Sequence, residues 1–216
     1  MSAGFTLIEL LVVTAIIIVV TAVVFSSQGA FSNTVLLSST AYDIALTMND
    51  AETYGLGTRG IGGAANAGYG LDFRKNAAGS YSFFADSYPP AGASGTCHPL
   101  PANGSAAPDA YPGNCVYDAN DGLVSTYTLG NGIKVGDFCA YNGSWSCANS
   151  ADQGLSQLDM IFLRPNATPF LAKNGAYTSV PAVTKACIAL LAQKGAKRYV
   201  SVSATGQING NAASCP

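Results

Sequence analysis

The clearest chemical feature of this sequence is a single carboxylate, Glu9, placed near the start of a long apolar run. The run extends from Phe5 to Phe25, and Glu9 is the only charged side chain among the first 42 residues. An unpaired carboxylate in a hydrocarbon environment costs several kcal/mol. Glu9 therefore requires either a charged partner or a position from which its side chain reaches the lipid–water interface.

Other residues with reactive side chains do not form a catalytic pattern. Catalysis needs a nucleophile, a base and an orienting group within reach of each other. The chain has one histidine, His98, beside Cys97 in a segment rich in proline and glycine. The acidic run from Asp118 to Gly122 could bind calcium, but its spacing does not match an EF-hand loop. We interpret both features as surface loops and expect no catalytic residue, no resident metal and no cofactor.

Six cysteines lie in the polar part of the chain, and none belongs to a Cys-x-x-Cys pair. An even number among loops rich in glycine and proline favours disulfides and an oxidising compartment. Because short loops close at the lowest entropic cost, we expect pairing in sequential order, although some free buried thiols would also fit the pattern. The expected disulfides are Cys97–Cys115, Cys139–Cys147 and Cys187–Cys215.

Charge is scarce and unevenly distributed. Charged residues make up 10% of the 216 residues and the net charge is −2, which gives no electrostatic argument for nucleic acid or an anionic membrane. The only basic cluster is Lys194, Lys197 and Arg198, which we interpret as a solvated hairpin. Apart from Glu9, every charged residue lies from Asp43 onward, so an apolar N-terminal arm precedes a polar body.

The apolar arm predicts a membrane-spanning helix. Phe5 to Phe25 is 21 residues, which as a helix span about 31 Å and can cross a hydrocarbon core. An isolated segment in lipid must satisfy its own backbone and is therefore helical. A secretory signal peptide would need a basic segment before a shorter apolar core, and Met1 to Gly4 contains no Lys or Arg. An ordinary membrane anchor would leave Glu9 unexplained.

The ten residues from Gly4 to Val13 resemble the type IV prepilin signature, which is shared by pilins and type II secretion pseudopilins. The resemblance rests on glycine, phenylalanine, a glutamate four residues later and an apolar helix. It implies that prepilin peptidase cleaves between Gly4 and Phe5 and that Phe5 is then N-methylated. It also implies that Glu9 functions in assembly by meeting the N-terminal ammonium of a neighbouring subunit. Such pairing would remove much of the penalty on both charges.

Beyond the arm, apolar residues recur at helical spacing as far as Tyr54, without an intervening proline. They are Leu37, Ala41, Ile44, Ala45, Met48 and Ala51. Polar residues on much of the other side are Ser38, Thr40, Asp43, Thr47 and Asp50. We predict one helix over 5–54, about 75 Å long. It should end at Gly55 or Gly57 and pack its second half on a sheet.

From residue 55 onward, short strand-like runs alternate with turn residues. The pattern predicts an apolar strand from Leu158 to Leu163 and three hairpins. The hairpins would join 69–73 to 80–84, 126–129 to 133–135 across Gly130–Gly132, and 187–192 to 199–203. This outline loosely resembles the globular domain of H-type pseudopilins and related minor pilins.

The expected fold is α+β and pilin-like. It comprises a leader over 1–4, a long helix over 5–54 with its transmembrane half at 5–25, and a mainly antiparallel extracytoplasmic domain over 55–216. The resemblance implies a structural, non-enzymatic subunit, preferably a minor one, of a pilus or pseudopilus. Its partners would be other such subunits, prepilin peptidase and the cytoplasmic (inner) membrane, which it would span once before assembly. Two alternatives stay open: a DNA-binding minor pilin of a DNA-uptake apparatus, and an anchored domain that never assembles.

Overall fold

The described part of the chain forms one long helix and ten strands. The computed structural model describes residues 4, 6–57, 60, 66–91, 97, 111–150, 154–164, 166–193, 195–212 and 214–215, and of residues 26–32, 166 and 167 it describes only the backbone. The helix α1 is Leu7–Leu56, and a 3₁₀ turn occupies Lys75–Ala77. The strands are β1 Gly68–Arg74, β2 Ser80–Asp86, β3 Gly122–Thr128, β4 Lys134–Tyr141, β5 Trp145–Cys147, β6 Gln157–Leu163, β7 Asn166–Lys173, β8 Lys185–Leu191, β9 Lys197–Ser203 and β10 Ile208–Ala212. The fold class is α+β, as expected.

The strands form two sheets rather than the one expected. The first sheet has the order β3-β2-β1-β6-β7 and the second has the order β10-β9-β8-β4-β5. All the strand pairs that the structure describes are antiparallel. Two of the three predicted hairpins are confirmed, because β1 pairs with β2 and β8 pairs with β9. The apolar run predicted as a strand is β6.

The hairpin predicted across Gly130–Gly132 is wrong. Asn131 and Gly132 both adopt positive φ, of 57° and 71°, so the chain does turn here. However, β3 before the turn pairs with β2 in the first sheet, and β4 after it pairs with β8 in the second. The turn therefore carries the chain from one sheet to the other.

The second half of α1 packs against both sheets. The six residues of the predicted apolar stripe are all buried, and they share one hydrophobic core with residues of both sheets. Tyr69 and Phe73 come from the first sheet, and Phe138 from the second. One polar residue was placed wrongly: Thr47 is buried, and its hydroxyl donates to Asp43 O at 2.8 Å and lies 3.1 Å from the Tyr81 hydroxyl.

The helix ends at Leu56, two residues beyond the predicted limit, and Gly57 is its C-cap. Gly55 has a different role from the predicted terminator. A Cβ added at Gly55 would lie 2.1 Å from the backbone oxygen of Phe162. The absence of a side chain therefore allows the end of α1 to approach β6 closely.

Three disulfides tie the body together, and they follow the sequential pairing expected from the sequence. Cys97 bonds Cys115, Cys139 bonds Cys147, and Cys187 bonds Cys215. The second of these joins residues directly opposite each other on β4 and β5. The third ties the end of the chain to β8.

Candidate functional site

The start of α1 is closed by a hydrogen-bonded cap that includes Glu9. Thr6 is extended, with φ −77° and ψ 149°, and its hydroxyl oxygen accepts from the Glu9 amide at 3.3 Å. In return, Glu9 Oε2 accepts from the Thr6 amide at 3.0 Å and from the Thr6 hydroxyl at 2.7 Å. This capping box satisfies amides that the first helical turn leaves without a partner.

The cap occupies only one of the two oxygens of Glu9. Among the described residues, no group donates a hydrogen bond to Glu9 Oε1 or forms an ion pair with the carboxylate. A carboxylate has about four lone-pair sites, so Oε1 can accept from an amine while Oε2 holds the cap. The site can thus bind a cation without dismantling the start of the helix.

The helix that follows Glu9 is apolar on every side and uncovered. Leu7–Phe25 is a 19-residue stretch of mean hydropathy 3.0, and none of it is buried within the described chain. It rises about 28 Å, which is long enough to cross a membrane by length and composition. A signal sequence near an N-terminus would meet the same criterion. Its length, composition and exposure therefore make this segment compatible with crossing a membrane.

Of the two processing residues expected from the sequence, the structure describes Gly4. Gly4 is exposed, and a Cβ added to it would meet nothing within 4 Å. Packing against the described residues therefore gives no reason for glycine at this position. Phe5 and the leader residues Met1 to Ala3 lie outside the described residues.

Comparisons of the chain with protein-family models, with curated proteins and with solved structures find no match.

A buried carboxylate, Asp86, and a half-buried one, Asp121, bind backbone amides in the described parts of the loop between β2 and β3, a role that the sequence did not indicate. Asp86 accepts the amides of Asn114 at 3.0 Å and Cys115 at 2.8 Å. Asp121 accepts the amides of Ser87 and, with its other oxygen, Asp118. Burial raises the pKa of Asp86 well above its usual value, and the nearby charge of Asp121 raises it further. Through these backbone amides, Asp86 and Asp121 hold described parts of this loop together.

A second pair of buried carboxylates lies on the first sheet. Asp72 on β1 and Asp159 on β6 are directly opposite each other, and both are almost fully buried. Asp72 Oδ2 accepts from Arg74 Nε at 2.8 Å. Asp159 Oδ1 accepts from the Tyr117 amide at 3.2 Å and from Gln157 Nε2 at 3.1 Å.

The remaining oxygens of this pair, Asp72 Oδ1 and Asp159 Oδ2, have no other donor among the described residues. The two side chains interact through a hydrogen bond, which requires that one of the two carboxyls carries a proton. Burial raises the pKa of both carboxyls, and the charge of Asp72 adds to the increase at Asp159, whereas Arg74 opposes it at Asp72. Asp159 is therefore the protonated partner.

In the predicted basic hairpin, the structure describes Lys197 and Arg198, and Arg198 is hydrogen-bonded to α1. Arg198 Nε donates to the Ser38 hydroxyl on α1 at 3.3 Å, and its Nη1 donates to Lys197 O at 3.4 Å. Arg198 is therefore used to fasten β9 to the helix. Lys194 and His98 lie outside the described residues.

Proposed function

We propose that this chain is a prepilin-like structural subunit, and a minor one, which is cleaved after Gly4 and assembled through α1 into a pilus or pseudopilus. The observation that carries the proposal lies at the start of the helix. A capped Glu9 with one unoccupied carboxylate oxygen precedes a long apolar surface that the described chain leaves bare. A structural role in a filament accounts for both features together.

The bare surface requires a cover supplied by lipid or by other molecules. Fourteen large hydrophobic side chains between Leu7 and Phe25 are exposed. Covering them is worth on the order of 20 kcal/mol, from roughly 1.5 kcal/mol or more for each side chain. In this proposal the cytoplasmic membrane covers them before assembly, and the helices of neighbouring copies cover them afterwards. The disulfide-bonded body then lies on the oxidising, extracytoplasmic side.

Glu9 gives the assembly its register. Cleavage before Phe5 would create a new amine one residue from the Thr6 cap. A carboxylate and an ammonium that are each isolated in an apolar environment are both penalised, and pairing them between copies removes much of that penalty. Because only one axial offset brings the amine of one subunit to Glu9 of another, the pairing selects that offset. The unoccupied Oε1 can accept this amine while the cap stays intact.

The proposal is tested by expressing the full-length chain with a prepilin peptidase and a filament-assembly system. The expected mature chain begins at N-methylated Phe5, as measured by mass spectrometry. Glu9→Ala should still insert into the membrane, and its incorporation into filaments should fall at least tenfold, equivalent to about 1.4 kcal/mol. An N-terminus that remains intact in assembled material would overturn the proposal.

One further variant distinguishes the charge of Glu9 from its role in the helix cap, and a second serves as a control. Glu9→Gln keeps an amide oxygen that can accept from Thr6 but carries no charge, so it should assemble as poorly as Glu9→Ala. Asp50→Ala removes an exposed carboxylate from the same helix and should assemble normally. Normal incorporation of Glu9→Gln would contradict the charge-pairing role and leave only the cap.

A further inference from the structure

The outward face of the second sheet carries a concavity of about 270 Å³. Successive side chains on a strand point to opposite faces. Ile188 and Val200 point into the core, so Lys185, Cys187 and Ser201 lie on the outward face. The concavity is lined by these three residues together with Trp145, Gln207 and Asn209.

Trp145 is the only tryptophan of the chain, and it stands at this concavity with 37% of its surface exposed. One side of its ring is supported by Tyr141, with the ring centroids 5.2 Å apart. Within the described chain, its indole N–H makes no hydrogen bond. An exposed, supported aromatic ring with an unused donor is suited to a ligand that has both an apolar face and polar groups.

Three polar side chains near Trp145 also have hydrogen-bonding groups without a partner among the described residues. The described residues provide no hydrogen-bond partner or ion-pair partner for the side chains of Lys185, Ser201 and Gln207. Between them these groups offer an ammonium, a hydroxyl and an amide, that is, both donors and acceptors. Among the described residues lining the concavity, Lys185 is the only charged one. This lining suits an uncharged or weakly anionic ligand that is rich in hydroxyl groups.

Two disulfides hold the walls in place. Cys139–Cys147 joins β4 to β5 two residues from Trp145, with the Cα atoms 4.0 Å apart. Cys187, which lines the concavity, is bonded to Cys215, with the Cα atoms 5.7 Å apart. A site held in this way loses little conformational freedom when a ligand binds, which favours affinity.

We propose that this concavity binds one pyranose ring of a glycan, with Trp145 against the apolar C–H face and Lys185, Ser201 and Gln207 on the hydroxyl edge. The volume lies just below the usual range of ligand pockets, about 300–1,000 Å³, so it suits one sugar ring and not a long oligomer. A nucleic acid would need several cations to neutralise its phosphates, and a hydrophobic peptide would need an apolar lining. The site is separate from α1 and does not depend on filament assembly.

The test uses full-length protein in a detergent without a sugar headgroup, so that the detergent does not compete. The probes are the methyl glycosides of glucose, galactose, mannose, N-acetylglucosamine and glucuronic acid. Trp145 is the sole tryptophan, so its fluorescence reports on the site directly. We expect a saturable fluorescence change with at least one glycoside, and saturation-transfer NMR should show that the same glycoside binds.

Variants decide whether the binding is at this site. Trp145→Ala and Gln207→Ala should each weaken the NMR-detected binding at least tenfold. Tyr127→Ala removes a comparably exposed aromatic side chain from the first sheet and should leave it unchanged. Far-UV circular dichroism checks that all three variants fold. The absence of a saturable response to every glycoside, or equal binding by wild type and Gln207→Ala, would overturn the proposal.

Discussion

The proton held between Asp72 and Asp159 makes the free energy of unfolding depend on pH. One substitution should abolish this dependence. Asparagine at position 159 has the shape of a protonated aspartic acid. Its oxygen can accept from the Tyr117 amide and from Gln157, as Asp159 Oδ1 does. Its amide nitrogen can then donate to Asp72 Oδ1, which has no other donor among the described residues. Asp159→Asn therefore provides a hydrogen-bond donor to Asp72 at every pH, whereas the wild type provides one only while Asp159 is protonated.

The sign of the effect follows from the raised pKa of Asp159. The folded state keeps a proton that the unfolded state has lost, so the contribution of the pair to stability is greatest below the ordinary aspartate pKa of about 3.9. It falls as the pH rises from there through the raised pKa of the folded state. Within that window one proton changes stability by up to about 1.4 kcal/mol per pH unit. Asp159→Asn should lose this slope and gain stability relative to the wild type as the pH rises.

The assay is urea unfolding of the full-length protein in detergent, followed by Trp145 fluorescence at a series of pH values. The difference between wild type and Asp159→Asn should grow with pH and then level off. Asp50→Asn is the matched control, because Asp50 is exposed on α1, and its profile should run parallel to that of the wild type. Parallel profiles for wild type and Asp159→Asn would refute the proton held between Asp72 and Asp159.

Further predictions concern the packing of α1 and are checked by the same unfolding assay. Met48→Ala removes a fully buried side chain from the core and should lower the free energy of unfolding by about 2–5 kcal/mol. Leu46→Ala, on the exposed side of the helix, should change it by less than about 0.5 kcal/mol. Equal effects of the two substitutions would contradict the assigned helix face. Gly55→Ala places a Cβ against the oxygen of Phe162 and should destabilise by about 1–3 kcal/mol. Gly57→Ala has more room and negative φ, so a larger effect there than at Gly55 would contradict the close approach.

The sequence predicted those parts of the fold that depend on local pattern. The helical spacing from Leu37 to Ala51 identified the buried face, because each turn repeats the same geometry. Thr47 was misplaced because a polar side chain was assumed to face solvent, whereas its hydroxyl is satisfied by Asp43 O and Tyr81. The turn near Asn131 was recognised, but turn residues do not determine which strands pair across them.

The features that the sequence could not predict arise from contacts between distant segments. Asp72 and Asp159 lie far apart in the sequence and belong to no common motif, and only the register of β1 with β6 makes them neighbours. The concavity at Trp145 is likewise assembled from β5, β8, β9 and the segment around β10. At the N-terminus, by contrast, the sequence alone drew attention to Glu9, because the cost of a carboxylate in an apolar run is a local property, and its role in assembly stays a prediction. Its cap with Thr6 was not predicted.

A zero-length carboxyl–amine cross-link should detect the proposed pairing between Glu9 of one copy and the freed amine of another. Filaments are assembled from an equal mixture of isotopically heavy and light subunits, cross-linked, digested and analysed by mass spectrometry. We expect a peptide that joins the Phe5 amine of a heavy chain to Glu9 of a light chain, and the reverse. Cross-links confined to a single chain, or an amine that stays unreacted beside Glu9 in intact filaments, would contradict it.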